Sequence, residues 1–452
     1  MDGEVNISDV NAIINIIVNG EPYLFSADAN LDYEINIADV NTVVNYILSG
    51  VREEMPTYSG TLPVMYINTD SGTNIITKEK YLWADWWIDD LGLEGYESIG
   101  SKDMPHRLQI KGRGNITWRA YEKKSYRIKF EDKEKPLGMK KNRHFCLMGH
   151  PDDWACFARD ALGFELSRRI GLAWTPTEKP VEVVLNGQYL GLYFMAEKIR
   201  VEKKRVNVIE QMDNDTVPEN ITGGWLLEID NNADPQQFHF QENDSSYTIV
   251  TFHTPEELSS RQHDYIVSLF DTIDSLIYLE DKSSRAWEQY IDIDSLACYY
   301  IVNEVFDALD TFEGSCYIHK ERGNNTKLIF GPVWDFGFGF YRAYVAYYWG
   351  GDTTMRFFYD QDITGNHWIK EIVKFPHFQS RVSRHWKKFY VDLDKFVDEF
   401  MDEYTQRIAK AGEADYQRWP LYNGEGIIDR YEKIVKPYLH KRIAWLNEQW
   451  GE

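Results

Sequence analysis

The sequence is short of positive charge: 49 Lys and Arg against 72 Asp and Glu leave a formal charge of −23 over 452 residues. General nucleic-acid binding, which relies on basic surface to release counterions, is thereby excluded as a primary role. Cysteine is scarce. Its four copies, Cys146, Cys156, Cys298 and Cys316, form no CxxC pair, which argues against a zinc site and leaves the redox compartment open. Long apolar runs are also missing. None approaches the roughly 20 residues of a membrane-spanning helix, and no signal-peptide pattern is visible in the sequence. What remains is an aromatic-rich globular composition, with 15 Trp, 29 Tyr and 23 Phe, in a chain long enough for two or more domains.

The chain opens with an internal repeat. MDGEVNISDVNAIINIIVNG at 1–20 realigns with LDYEINIADVNTVVNYILSG at 31–50. In the second copy, Asp28, Asn30, Asp32, Asn36 and Asp39 fall at loop positions 1, 3, 5, 9 and 12, and Glu34 offers a backbone carbonyl. That is the oxygen-ligand spacing of a calcium loop. Tyr33 stands where such loops use Gly for a sharp turn. In the first copy Asp2 falls at position 5, so that site is incomplete as the sequence stands. A duplicated loop-plus-helix with Asp at position 12 resembles a dockerin module. The resemblance covers residues 1–50 and implies a small all-α domain, bound calcium and a cohesin partner. A helical repeat without calcium is the competing reading.

Residues 51–61 read as a linker, and 62–452 as one larger domain. Strands are expected at Leu62–Asn68, Arg107–Lys111 and Ser125–Phe130, and a helix over Trp154–Ile170. Val181–Leu185 and Tyr189–Ala196 form a hairpin across Asn186-Gly187. Beyond Pro255 the pattern is helical, interrupted by short strands at Cys316–His319 and Lys327–Phe330. A strand-rich half followed by a helix-rich half predicts an α+β fold with two lobes.

Charge is uneven. Between Lys102 and Arg143, 14 Lys and Arg stand against five Asp and Glu. Lys111, Arg113, Arg119, Lys123, Lys124, Arg127 and Lys129 crowd around a Gly-Arg-Gly turn, and Lys198, Arg200, Lys203, Lys204 and Arg205 add a second cluster. Cations and free amides at a glycine turn suit phosphate oxygens, although a solvated strand face has the same composition. The stretch Tyr299–Phe340 carries the complementary acids. A helix ending near Leu309 leads to Asp310 in a polar loop, and the second short strand leads to Asp335 in Trp334-Asp335-Phe336-Gly337. Metal-assisted phosphoryl transfer needs such a pair, one carboxylate for the hydroxyl and one for the metal.

Six stretches in order resemble the kinase family named for spore coat protein CotH, a divergent relative of protein kinases. They are Gly112–Trp118, Lys123–Lys129, Arg159–Glu165, Asn186-Gly187, Gly191–Lys198 and Gly331–Phe336. The resemblance implies a protein-kinase-like bilobal domain using ATP with magnesium or manganese to phosphorylate protein hydroxyls. It assigns Lys129, with Lys124 second, to the phosphates beside Arg113. Glu165 becomes the acid paired with that lysine, and Glu197 a cleft residue. Asp310 orients and deprotonates the hydroxyl, and Asp335 binds the metal. Kinase catalytic loops also carry an Asn after the Asp, and none follows Asp310 before Cys316. An active kinase delivered outside the cell or to its surface by the dockerin-like module, and an inactive scaffold of a cohesin–dockerin assembly, both remain open. A glycoside hydrolase, prompted by the dockerin's usual company, is a third reading.

Overall fold

The computed structural model describes residues 6–20, 27, 29, 35–49, 57–151, 153, 156–230, 237–241, 247–360, 367–419 and 426–451. The repeat is visible as two helices of 13 residues each, α1 (Ile7–Asn19) and α2 (Ile37–Ser49). They start alike. Asn6 accepts from Ser8 N at 2.8 Å and Asp9 accepts from Asn6 N at 2.9 Å. Asn36 and Asp39 repeat both bonds, with Ala38 N and Asn36 N, at 2.8 Å. This reciprocal cap satisfies amides that have no partner inside the helix. Val10, Ile13, Ile16, Ala27, Val40 and Val43 form a small core of their own. Of the expected calcium ligands, Asp28, Asn30, Asp32 and Glu34 lie outside the described residues. Asp39 is buried, and its other oxygen accepts from Ala29 N at 2.6 Å.

Next come β1 (Val64–Thr69), β2 (Leu82–Asp89), β3 (His106–Arg113), α3 (Ile116–Ala120), β4 (Ser125–Glu134), β5 (Asn142–Met148), α4 (Arg159–Ile170), β6 (Glu178–Leu185) and β7 (Gln188–Glu197). The seven strands close into a barrel in the order β1-β2-β3-β4-β5-β7-β6. Side chains alternate across each strand. Leu108, Ile110, Ile128, Phe130 and Phe145 fill the barrel with Trp86, which stacks on Phe130 at 4.2 Å. The residues between them, Lys111, Arg113, Arg127 and Lys129, are left on the outer face. The β6–β7 hairpin turns as expected, with left-handed φ at Asn186 (51°) and Gly187 (78°). The expected helix from Trp154 is shorter. Cys156 and Phe157 have φ of 58° and 57°, backbone that a right-handed helix does not contain, so α4 begins at Arg159. Trp154 itself lies outside the described residues. Ser59, in the expected linker, donates to Glu182 of β6 through its amide at 2.8 Å and its hydroxyl at 2.7 Å.

A second sheet contains β8 (Trp225–Ile229), β9 (Gln237–Gln241), β10 (Tyr247–Thr254), β11 (Cys316–Lys320) and β12 (Ile329–Phe330), ordered β12-β11-β8-β10-β9. β8 is buried at every position, so its sequence has no period of two to announce it. Helices α5 (Ser260–Ile277), α6 (Ile293–Phe306), α7 (Tyr341–Trp349), α8 (His367–Ile372), α9 (Pro376–Phe389), α10 (Leu393–Arg418), α11 (Ile427–Arg430) and α12 (Lys436–Trp450) complete the chain. α6 is buried on nearly all sides and stops three residues before Leu309, because Asp307 turns left-handed with φ 51°. Lys123 and Asp415 form a buried pair at 2.7 Å that joins the barrel to α10. The architecture is mixed α+β around a closed barrel. No helix among the described residues is long and apolar enough to cross a membrane.

Candidate active site

The loop after α6 and the segment after β12 bring Asp310 and Asp335 together. Asp310 O accepts from Glu313 N and Gly314 N, both at 3.0 Å. Phe312 pins the loop by packing against Tyr299 and Phe330, with ring centroids 5.4 and 5.8 Å away. Asp335 has φ 59°, a conformation Asp tolerates because its short side chain bonds locally. Here its Oδ1 accepts from Gly337 N at 3.1 Å. Burial and the neighbouring Asp335 charge push Asp310 up to about 8, with Glu313 adding and Arg159 opposing. Asp335 is raised by its enclosed surroundings and by Asp160, against Arg113, His150 and Arg159. Its side chain still reaches solvent, so it lies at the surface rather than in the core.

α4 holds the Asp335 segment in place. Asp160 Oδ1 accepts from Phe336 N at 3.0 Å, and Arg159 donates to Gly337 O. The Phe336 ring lies on Gly163, where an added Cβ would come within 2.1 Å, and packs against Phe306 at 4.4 Å. Asp160, Gly163 and Phe164 share one helix face through i, i+3 and i+4 spacing. Glu165 lies off that face, partly exposed and paired with Arg168. The expected helix acid therefore does not meet the cleft, whereas Asp160, five residues earlier in the same stretch, does. The missing information was helix phase.

Strand register assembles the cations. Lys111 pairs with Arg127 and Arg127 with Cys146; Lys129 pairs with His144, whose carbonyl accepts from Lys198 N at 3.4 Å. Lys111, Arg127, Lys129, His144 and Lys198 thus share one outer patch of the barrel. Burial together with Arg200, Lys198, Lys129 and Arg127 drives His144 down to about 3. Lys198 falls to about 7, through burial first and Arg127 second. Arg113, paired with Ser125 at the far end of β3, lies over the Trp334 ring at 5.6 Å and is the cation nearest in effect to Asp335. Lys129 sits four residues along β4 from that end. Two expected residues are engaged elsewhere. Lys124 donates to Trp118 O at 2.8 Å and to Tyr121 O, and buried Glu197 accepts from Thr177 N at 3.0 Å with Arg205 at 3.8 Å.

A pair of facing acids beside a cationic strand face can gather a divalent ion and the phosphates it bridges. No curated protein matches the chain. A family model described as CotH kinase protein matches residues 108–446, taking in the basic strands, α4 and both acids. That match spans most of the sequence, and the chain belongs to the CotH kinase protein family.

Proposed function

We propose that the chain is a phosphotransferase that moves phosphate from ATP to protein hydroxyls. The observation that carries this reading is the mutual proximity of Asp310 and Asp335, both held above the ordinary carboxylate range. Two acids kept close in a cleft are a site suited to added positive charge, and the crowded cations around His144 suit added negative charge. Both walls therefore fit a nucleotide with its divalent ion. Magnesium or manganese, when bound, neutralises charge between phosphate oxygens. Asp335 would hold it, while Arg113, Arg127, Lys129 and Lys198 would take phosphate oxygens. Asp310, with a proton affinity matched to neutral pH, would orient the acceptor hydroxyl and remove its proton.

Calorimetry with ATP and magnesium tests this. Asp335→Asn should lose binding, whereas Asp310→Asn should keep binding and lose transfer to protein acceptors. Equal binding by the parent and Asp335→Asn sinks the metal assignment. One observation favours a second reading, a nucleotide-binding protein without transfer. No Asn follows Asp310 before Cys316, and Asn303, within α6, is committed to Tyr299 O at 2.9 Å and Thr311 Oγ1 at 3.1 Å. Binding by the parent with no transfer would select it.

We also propose that residues 1–50 form a dockerin-like module that binds calcium at Asp28, Asn30, Asp32, Glu34 and Asp39 and carries the enzyme to a cohesin partner at the cell surface. The duplicated caps and the separate small core support this. Chelation should disorder the helix pair and leave the large unit folded. Calcium binding unchanged in Asp28→Ala ends the proposal.

A further inference from the structure

Three side chains converge beside the Asp335 segment, one of them the Asp160 that also holds Phe336 N. His150 follows β5, Asp160 opens α4 and Glu178 opens β6. One ligand atom from each lies within 4.8 Å of the others. His150 Nε2 and Asp160 Oδ2 are 3.8 Å apart. Glu178 is nine-tenths buried, and its Oε2 has no hydrogen-bond partner. A cavity of about 300 Å³, lined by Glu178 together with Glu165, Arg168, Thr177, Tyr404 and Arg407, gives it a path to solvent.

We infer that His150, Asp160 and Glu178 form a site for a divalent transition ion, zinc or manganese, separate from the nucleotide's metal. Bonds of about 2.0–2.2 Å to a single ion put ligand atoms roughly 3–4 Å apart, close to the spacing present. One imidazole nitrogen with two carboxylates suits these ions, whereas magnesium and calcium prefer all-oxygen sets. A buried carboxylate oxygen without a donor is costly unless something positive meets it. The site is also coupled to the cleft. Asp160 offers Oδ2 toward His150 while its Oδ1 accepts from Phe336 N, so an ion here would fix the carboxylate that positions the Asp335 backbone.

The test uses the full chain, stripped with chelator and titrated with zinc alone, without nucleotide and with excess calcium to occupy the N-terminal loop. The four cysteines are buried and do not compete. The expected result is one tight zinc per chain, weakened at least tenfold in Glu178→Gln and unchanged in Asp335→Asn. His150→Asn should weaken it equally, and Asn tolerates the local φ of 43°, so it carries the test if Glu178→Gln misfolds. Absence of stoichiometric zinc, retention in both variants, or loss in Asp335→Asn overturns the inference. None of these outcomes bears on whether magnesium–ATP binds at Asp335.

Discussion

Buried charge is handled in two opposite ways in this molecule. At the seam between barrel and α10, Lys123 meets Asp415 at 2.7 Å, donates to Leu192 O at 2.8 Å, and Asp415 accepts from Leu192 N at 2.8 Å. At the candidate site Asp310, Asp335 and Asp160 lie near one another, while on the outer face of the barrel Arg127, Lys129, Lys198 and Arg200 crowd His144. In the seam each charge meets its opposite, although Asp415 Oδ2 is left without a hydrogen-bond partner; around Asp335, acids border acids. Burial pushes Lys123 down and Asp415 up even against their attraction, so the seam tolerates no loss of either member.

Breaking the seam should give the largest effect. Asp415→Ala leaves a buried ammonium uncompensated and should cost about 3–5 kcal/mol in urea unfolding, and Lys123→Met should be comparably severe because it strands the buried Asp415 carboxylate. Gly163→Ala comes next. Its Cβ would strike the Phe336 ring, and overpacking of this kind costs about 1–3 kcal/mol. Magnesium–ATP affinity should fall with it, since the ring and Asp335 move together. Asp310→Asn should do the reverse of a seam mutation and raise stability by about 1 kcal/mol without ligand, because it replaces an acid that burial and the Asp335 charge disfavour with a neutral group of similar shape. Equal destabilisation by Asp310→Asn and Asp415→Ala would erase the distinction between the regions.

A further effect is a slope with pH. Lys198 titrates near 7 in the fold and near 10.5 when free, so between those values the unfolded chain holds more protons and unliganded stability rises with pH. Phosphate favours the charged ammonium, so nucleotide affinity should weaken as pH rises through about 7 to 9, with proton uptake on binding. Calorimetry in buffers of different ionisation enthalpy reads that uptake. Lys198→Met should remove this part of the slope; an unchanged slope removes Lys198 from the phosphate wall.

What was legible in the sequence follows from how local each signal is. The Asn186-Gly187 hairpin was readable because two successive positive φ angles admit few residue types. Asp310 was picked out by its place in a polar loop after an apolar helix, and Asp335 by its aromatic and glycine-rich surroundings. β8 and β10 were missed, and burial explains β8: its residues Trp225–Ile229 are buried on both faces and lack alternation. Choosing among Lys111, Arg127 and Lys129 was beyond sequence reasoning, since alternation sends all three to one face and cross-strand pairing sets their places. That Asp160, rather than Glu165, bonds to the Asp335 segment is a matter of helix phase, which depends on where α4 begins. That start is set by backbone at Cys156 and Phe157 that no propensity announces.

The attachment of Ser59 to Glu182 fixes one end of a tether. The chain between Ser49 and Ser59 reaches at most roughly 35 Å when fully extended. Whatever grips the helix pair is therefore kept within a short radius of the β6 side of the barrel. A second protein held by the same anchor would be presented at an effective concentration on the order of millimolar. Under that confinement, weak intrinsic affinity for an acceptor would be no handicap, and the choice of acceptor would be set by co-attachment as much as by the cleft.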